Sequence, residues 1–280
     1  MVDTLRRTAW LRHLAILLIA FVMLYPVLWL VGSSFKPNNV IFSEIGIWPQ
    51  EWVWGNYFAG WNGIQGNPFS HFLGNSMIVS IGAVIGNVLS CSMAAYAFAR
   101  LSFRFKALAF GLMLLTIMLP HHVTLIPQYI LFNQLGWVNS FLPLIAPKWL
   151  ATDGFFIFLT VQFIRGLPKE LDEAATIDGC GLIQIYWRIV LPLAVPALIT
   201  TTIFTFLWTW DDFFSQLIYL SDVSKFTVPL GLRLFLDSSS QSDWGPMFAM
   251  SVLSLLPCFI IFIICQKYFV EGIATSGIKG

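Results

Sequence analysis

The chain has 280 residues, 58% of them hydrophobic and only 10% charged, with a mean hydropathy of +0.78; soluble domains carry about 25% charged residues, so an ordinary water-soluble globular protein is excluded. Fifteen Lys and Arg against fourteen Asp and Glu leave a formal net charge of +1, which provides no basic excess for a nucleic acid backbone. The four cysteines, Cys91, Cys180, Cys258 and Cys265, have no CxxC spacing, and three lie in apolar runs, which argues against a disulfide framework or a zinc site.

A helix needs about 20 apolar residues to cross the hydrocarbon core of a bilayer, and six such runs follow one another at about 14–33, 75–99, 107–127, 141–164, 193–216 and 246–266. The expected fold is therefore an all-α polytopic membrane protein with six transmembrane helices, preceded by an N-terminal segment 1–13 and followed by a tail 267–280. The first run exceeds the roughly 7–15 residues of a signal-peptide core, so it is expected as an uncleaved span. Arg100, Arg104 and Lys106 read as the inner anchor of the second and third runs. At the other end of the third run, His121 and His122 point about 100° apart on a helix and have no carboxylate cluster beside them, so no metal is expected there. Placing the N-terminus inside puts eleven Lys and Arg on the inner segments and four on the outer ones, the bias of a chain with both termini cytoplasmic. The segments 36–74 and 217–245, with their Trp, Gly and Pro, are then expected to cover the outer mouth.

Polar groups inside the fourth and fifth runs are expensive in lipid and therefore informative. Pro143, Pro147, Lys148, Asp153 and Gly154 predict a broken fourth helix, and broken helices line cavities. Lys148 and Asp153 either neutralise each other or face a substrate together with Trp149, Thr152 and Phe155. In the fifth run Thr201, Thr205, Thr209 and Asp212 recur at i, i+4, i+8 and i+11, with Trp208 and Asp211 beside them. Such a face suits water or a polyol, while a lone Thr201 is equally well read as bonded back to its own helix.

Between these runs lies a polar loop, 165–192. Pro168 opens a helix whose first turns carry Glu170, Asp172 and Glu173, complementing the positive end of the helix dipole. Leu171, Ala174, Ala175 and Asp178 share one face, and the small side chains at its centre permit close approach of a partner. Gly179 is expected to end this helix, and a second short helix, 182–190, is expected to close at Pro192. A connector lying on the membrane would be rich in Lys and Arg; this helix is acidic and Ala-rich, which favours a protein-docking element.

Glu173-Ala174-Ala175, three residues, Gly179, nine residues, then Ile189-Val190-Leu191-Pro192 resembles the EAA loop of binding-protein-dependent ABC importer permeases. Residues 165–172, Trp210-Asp211-Asp212-Phe213 and the tail from Phe269 through Lys279-Gly280 are similar to the MalG-type branch that takes up carbohydrates, so the resemblance covers nearly the whole chain. It implies a type I ABC importer permease fold with cytoplasmic coupling helices, in the cytoplasmic membrane of a bacterium or archaeon. Glu173, Ala174, Ala175, Asp178, Gly179, Leu191 and Pro192 would couple to two ATPase subunits, and a second nonidentical permease and an extracytoplasmic sugar-binding protein would complete the assembly. No catalytic residue and no cofactor is implied on this chain; ATP and Mg would sit on the ATPase subunits, and the sequence contains no G-x-x-x-x-G-K-[ST] loop to cradle phosphates. The sugar is expected to contact Lys148, Trp149, Thr152, Asp153, Phe155, Thr205, Trp208, Thr209, Asp211 and Asp212. Three competing readings remain at this stage: a proton-coupled secondary carrier, which inverted repeats would have favoured, an importer of a glycerol phosphate ester, and a membrane-embedded enzyme.

Overall fold

The computed structural model describes residues 2–236 and 242–277, and among them the regular structure is helical. The chain divides into two compact units, Met1–Ser70 with Leu232–Leu256, and His71–Gly231 with Pro257–Gly280.

In the first unit α1 (Val2–Ser33) is a single helix, and its apolar side chains, among them Leu17, Phe21 and Met23, face outward. The segment after it is folded around Lys36, which is fully buried and donates from Nζ to the carbonyls of Glu44 (2.6 Å) and Gly46 (2.7 Å). A buried ammonium is tolerated only when its donors are used, and here backbone oxygens use them. Asn56, at the start of α2 (Gly55–Asn62), ties the same turn by donating to the carbonyls of Ser34 and Lys36.

The second unit is built on α3 (Phe69–Arg100), a helix of 32 residues. Against it pack α4 (Lys106–Ile117), α5 (His121–Gln134) and α6 (Leu142–Ile145), the last continuing through the tight turn Ala146–Leu150 to α7 (Gly154–Arg165). The chain proceeds through α8 (Glu170–Ile177), α9 (Leu182–Ile185), the widened turn Tyr186–Val190 and α10 (Leu191–Leu193) to α11 (Val195–Asp211), α12 (Phe213–Tyr219) and α13 (Val228–Arg233). The last helix is α14 (Trp244–Gly277). Among the described residues, four stretches are long and apolar enough to cross a membrane: Arg12–Ser33, Phe69–Arg100, Leu142–Arg165 and Trp244–Lys267. Leu182–Leu193 and Val195–Asp211, bent by 76°, make a fifth if they form one span. The apolar run at 107–127 is divided between α4 and α5.

Three breaks interrupt helices in the second unit, and each has a local cause. Pro120 disfavours helical backbone at Leu119 and starts α5. Ala151 sits at φ +53°, a left-handed conformation, after Pro147 has tightened the preceding turn. Asp212 is extended, and its Oδ1 accepts from the backbone N–H of Ser215 at 3.0 Å, capping α12. Pro192, by contrast, does not end its helix, which runs on to Leu193 and bends at Ala194. The widened turn explains this: Leu191 donates five residues back to Tyr186, so the ladder has already shifted when it reaches the residue without an N–H.

Two apolar clusters hold the unit, and α3 contributes to both. Cys91, Ala95 and Tyr96 pack with Phe156, Val161 and Ile164 of α7 and with Ile185, Tyr186 and Val190, while Val79 packs with Phe132, Leu144, Tyr219 and Leu230. Polar contacts run between them. Asn87 Nδ2 donates to Thr205 Oγ1 of α11 (2.8 Å), Ser90 Oγ to the Lys148 carbonyl (2.7 Å), and Trp149 Nε1 to the Gly82 carbonyl (3.1 Å). Interhelical bonds of this kind contribute about 0.6 kcal/mol on average within a membrane. Two glycines set close approaches: Gly154 lets α7 meet α4 where a Cβ would stand 3.1 Å from Thr116 Oγ1, and Gly86 leaves the space that the Trp149 indole fills.

Gly86→Leu is therefore expected to unseat Trp149 and destabilise the protein by about 1–3 kcal/mol. Gly111→Ala, facing open space in α4, is expected to be neutral or slightly stabilising; thermal unfolding in detergent distinguishes the two.

Candidate functional site

The three breaks meet at a cavity of about 780 Å³. Thr116, Ile117 and Leu119 reach it from the α4–α5 break, Pro147, Lys148, Thr152 and Asp153 from the α6–α7 break, and Thr209, Asp211 and Asp212 from the α11–α12 break. Breaking a helix frees backbone groups that hydrocarbon cannot satisfy, so the breaks gather where polar side chains and open volume can. The size lies within the roughly 300–1,000 Å³ of small-molecule sites.

Eight of the ten residues expected to face a substrate line this cavity: Lys148, Thr152, Asp153, Phe155, Trp208, Thr209, Asp211 and Asp212. Trp149 and Thr205 do not, because Trp149 is turned onto Gly82 and Gly86 and Thr205 is buried against Asn87. Thr201 donates back to the Ala197 carbonyl (3.0 Å), the helix-internal alternative. Lys148 Nζ and Asp153 Oδ2 pair at 2.8 Å across the α6–α7 break, both partly exposed to the cavity. Asp212 uses one oxygen on its cap, whereas Asp211 is exposed. One lysine and three carboxylates give the wall a formal net charge of −2. Phe155 and Trp208, with ring centroids 5.9 Å apart, supply an aromatic surface. Thr124, Gln128 and Gln216 also line the cavity; Thr124 and Gln128 are polar residues at i, i+4 about the end of the third run, and Gln216, four residues after Asp212, extends the polar stripe of the fifth run by one turn.

The loop 165–192 presents the other feature. Glu170, Asp172 and Glu173 occupy the first turn of α8. The helix ends in a Schellman motif, with Cys180 N–H donating to the Ala175 carbonyl (2.9 Å) and Gly179 N–H to that of Thr176 (3.0 Å). Gly179 sits at φ +83°, which only glycine adopts without strain. Gln184 Oε1 then accepts from Gly181 N–H and starts α9. Ala175 faces inward, while Glu173, Ala174, Asp178 and Gly179 are exposed beside Ile177 and Ile183, which are 86% and 74% exposed. Leu191 is partly buried and Pro192 exposed. Acids, small residues and bare aliphatics on one protruding turn form a surface suited to another protein.

At the opposite end of α3, Asn75 Nδ2 donates to the carbonyls of Ser224 (3.0 Å) and Phe226 (2.8 Å), and Ser76 Oγ accepts from Val228 N–H. Asn139 Oδ1 accepts from Ser221 and Asp222, and its carbonyl from Lys225 Nζ. The backbone N–H of Ser224 holds the Asp222 carboxyl below its usual range. Among the described residues no group of three or more His, Cys, Asp or Glu is arranged to hold a metal; the side chains of His121 and His122 lie outside the described residues.

A sequence profile of the family described as "binding-protein-dependent transport system inner membrane component" matches residues 86–274. The chain is 37% identical over 256 residues to "Probable ABC transporter permease protein YurM" of Bacillus subtilis, covering 91% of this chain and 84% of that one. It is 31% identical to "Arabinooligosaccharides transport system permease protein AraQ" of Halalkalibacterium halodurans, covering 97% of both. A chain from the crystal structure of a bacterial ABC transporter involved in the import of the acidic polysaccharide alginate superposes with a TM-score of 0.82 at 20% identity, over 94% of this chain and 97% of that one. The fold is thus shared with an ABC importer chain.

Asp212 has two separable parts, a charge in the cavity and a cap. Asp212→Asn is expected to keep the cap and the thermal stability, and Asp212→Ala to lose about 0.5–2 kcal/mol. Thermal unfolding of the two variants measures the difference.

Proposed function

The chain belongs to the family of binding-protein-dependent transport system inner membrane components, and from that premise we propose that it is the permease subunit of an ATP-driven ABC importer that moves a sugar or oligosaccharide from an extracytoplasmic binding protein into the cytoplasm. The subunit is not an enzyme; on this reading ATP and its Mg belong to two ATPase subunits, and a second nonidentical permease completes the path. The loop 165–192 and both termini face the cytoplasm, which the excess of Lys and Arg on those segments supports.

The observation that carries this reading is the protruding loop: Glu173, Ala174, Asp178 and Gly179, exposed with Ile177 and Ile183, form a turn shaped to enter a cleft of the ATPase, with Leu191 and Pro192 joining it to α11. A secondary carrier has no use for such an element. The cavity supports a neutral polyol, with Phe155 and Trp208 to stack on C–H faces and Asp211, Asp212, Thr152 and Thr209 to bond hydroxyls. A phosphate ester would meet the net negative wall, where each carboxylate at about 5 Å opposes it by roughly 3 kcal/mol at an effective dielectric of 20.

In vesicles holding the complete complex, import of a neutral oligosaccharide is expected to require both ATP and the binding protein. Equal import without ATP would overturn the reading in favour of a proton-coupled carrier. Asp211→Asn is expected to lower import by up to roughly 10–150-fold, the equivalent of losing ~1.5–3 kcal/mol of a charged hydrogen bond, without preventing copurification of the subunits. Unaltered half-saturation and maximal rate would remove Asp211 from the path.

A further inference from the structure

Three polar side chains one turn apart on α3, Ser92, Tyr96 and Arg100, each bond a different part of the loop. Ser92 Oγ lies 2.7 Å from Tyr186 Oη, Tyr96 Oη donates to the Leu182 carbonyl at 3.2 Å, and Arg100 Nη2 donates to the Leu167 carbonyl at 2.9 Å. Arg100 Nε also stands 2.9 Å from Asp172 Oδ2 of α8, with side chains 5% and 20% exposed. That approach is off the N–H direction, so it acts as a Coulombic contact more than a directed hydrogen bond. The Tyr96 and Tyr186 rings pack with centroids 5.5 Å apart.

These partners lie 67 to 94 residues apart in sequence, whereas the loop's covalent connections are a short link and a bend. At one side, Gly166, Leu167, Pro168 and Lys169 separate α7 from α8; at the other, the chain bends by 76° before α11. Apolar packing of Ile185, Tyr186 and Val190 on α3 and α7 holds the loop, and α3 adds directed polar attachments to it. The same helix holds both sides of the cavity, α11 through Asn87 and the α6–α7 turn through Ser90.

The geometry points to Ser92, Tyr96 and Arg100 as positioning residues that join the loop to α3 as one body, so that displacement of the loop by the ATPase is delivered to α3 and from it to both cavity walls. This rests on the reading that the loop docks on the ATPase. Without the three contacts the loop would be held by its covalent links and its apolar packing alone, and ATP would be hydrolysed with less movement of the walls.

The test uses the complete complex in vesicles with its binding protein and a neutral oligosaccharide, measuring ATP hydrolysed per sugar imported and the KM for ATP. Arg100→Met is expected to raise ATP per sugar at least about fivefold, the lower end of ordinary coupling effects, with the KM for ATP within about twofold. Arg100→Lys, which keeps the charge but not the planar fork, should fall between. Asp172→Asn added to Arg100→Met should change the ratio little, since both act through one contact. If Arg100→Met fails to assemble, the milder Ser92→Ala/Tyr96→Phe double variant decides: a rise of about twofold or more supports the proposal, and an unchanged ratio overturns it. An Asp178→Cys variant separates this from the underlying reading. Failure of that cysteine to cross-link to the ATPase overturns the docking and with it the proposal, whereas a cross-link together with an unchanged ratio in the assembled α3 variants overturns the positioning role alone.

Discussion

Backbone N–H and C=O groups released by a broken helix have no water to bond inside a bilayer, and each one left unpaired costs several kcal/mol. The second unit breaks α4–α5, α6–α7 and α11–α12 within what would otherwise be spans, and this constraint decides where the breaks can be. All three open on one cavity, and local groups satisfy what they release: Asp212 caps Ser215, Thr152 Oγ1 donates to the Pro147 carbonyl, and Ser90 donates to that of Lys148. Polar lining and broken backbone are two aspects of one arrangement, because the groups that make irregular backbone tolerable are also those that can bond a polyol.

Of the helices in the second unit, α3 meets the α6–α7 break directly and holds α11 one to two turns before its break. It carries no proline over its 32 residues, while α1 and α5 each contain one and α14 contains two, Pro246 and Pro257. Its polar residues are placed by height: Asn75 and Ser76 hold the 224–228 turn, Asn87 and Ser90 hold the cavity walls, and Ser92, Tyr96 and Arg100 hold the loop. Each residue makes its contact laterally, so the helix keeps its own hydrogen-bond ladder intact. Ser92 adds a bond back to the Val88 carbonyl without interrupting the helix.

The features legible in the sequence were those with a local cause. Pro168, the acids after it and Gly179 define α8 and its end from their own chemistry, and the left-handed Gly179 follows from the Schellman geometry. Pro143, Pro147 and Asp153 announced an irregular fourth run, and most of the polar residues there and in the fifth run do reach the cavity. What sequence periodicity could not supply was rotation and pairing across long separations. The Thr201, Thr205 and Thr209 stripe does share a face, but Asn87 and the helix's own carbonyls take its first two members. Trp149 faces α3 because Gly86 makes room for its indole and the Gly82 carbonyl accepts from its N–H. Arg100 read as an interfacial anchor because a basic residue at a span end usually is one; its carboxylate partner lies 72 residues away on a loop whose acids already had an explanation in the helix dipole. Pro192 was read from the local rule for proline, and the widened turn that accommodates it has no composition of its own.

The continuity of α3 has a mechanical consequence. At about 1.5 Å per residue, Asn87 lies roughly 20 Å from Arg100 along the helix, so a tilt of about 10° at the loop end moves the Asn87 level by roughly 3 Å. That is about the length of the hydrogen bond by which Asn87 holds Thr205, so α11 must either follow or release. The bond and the buried apolar contact around it favour following, and Ser90 imposes the same choice on the α6–α7 turn. The helices that do contain breaks can accommodate such motion by bending at Leu119, Ala151 and Asp212. On the proposed coupling, displacement arriving through α3 would be taken up at these breaks by changing the shape of the cavity that they line.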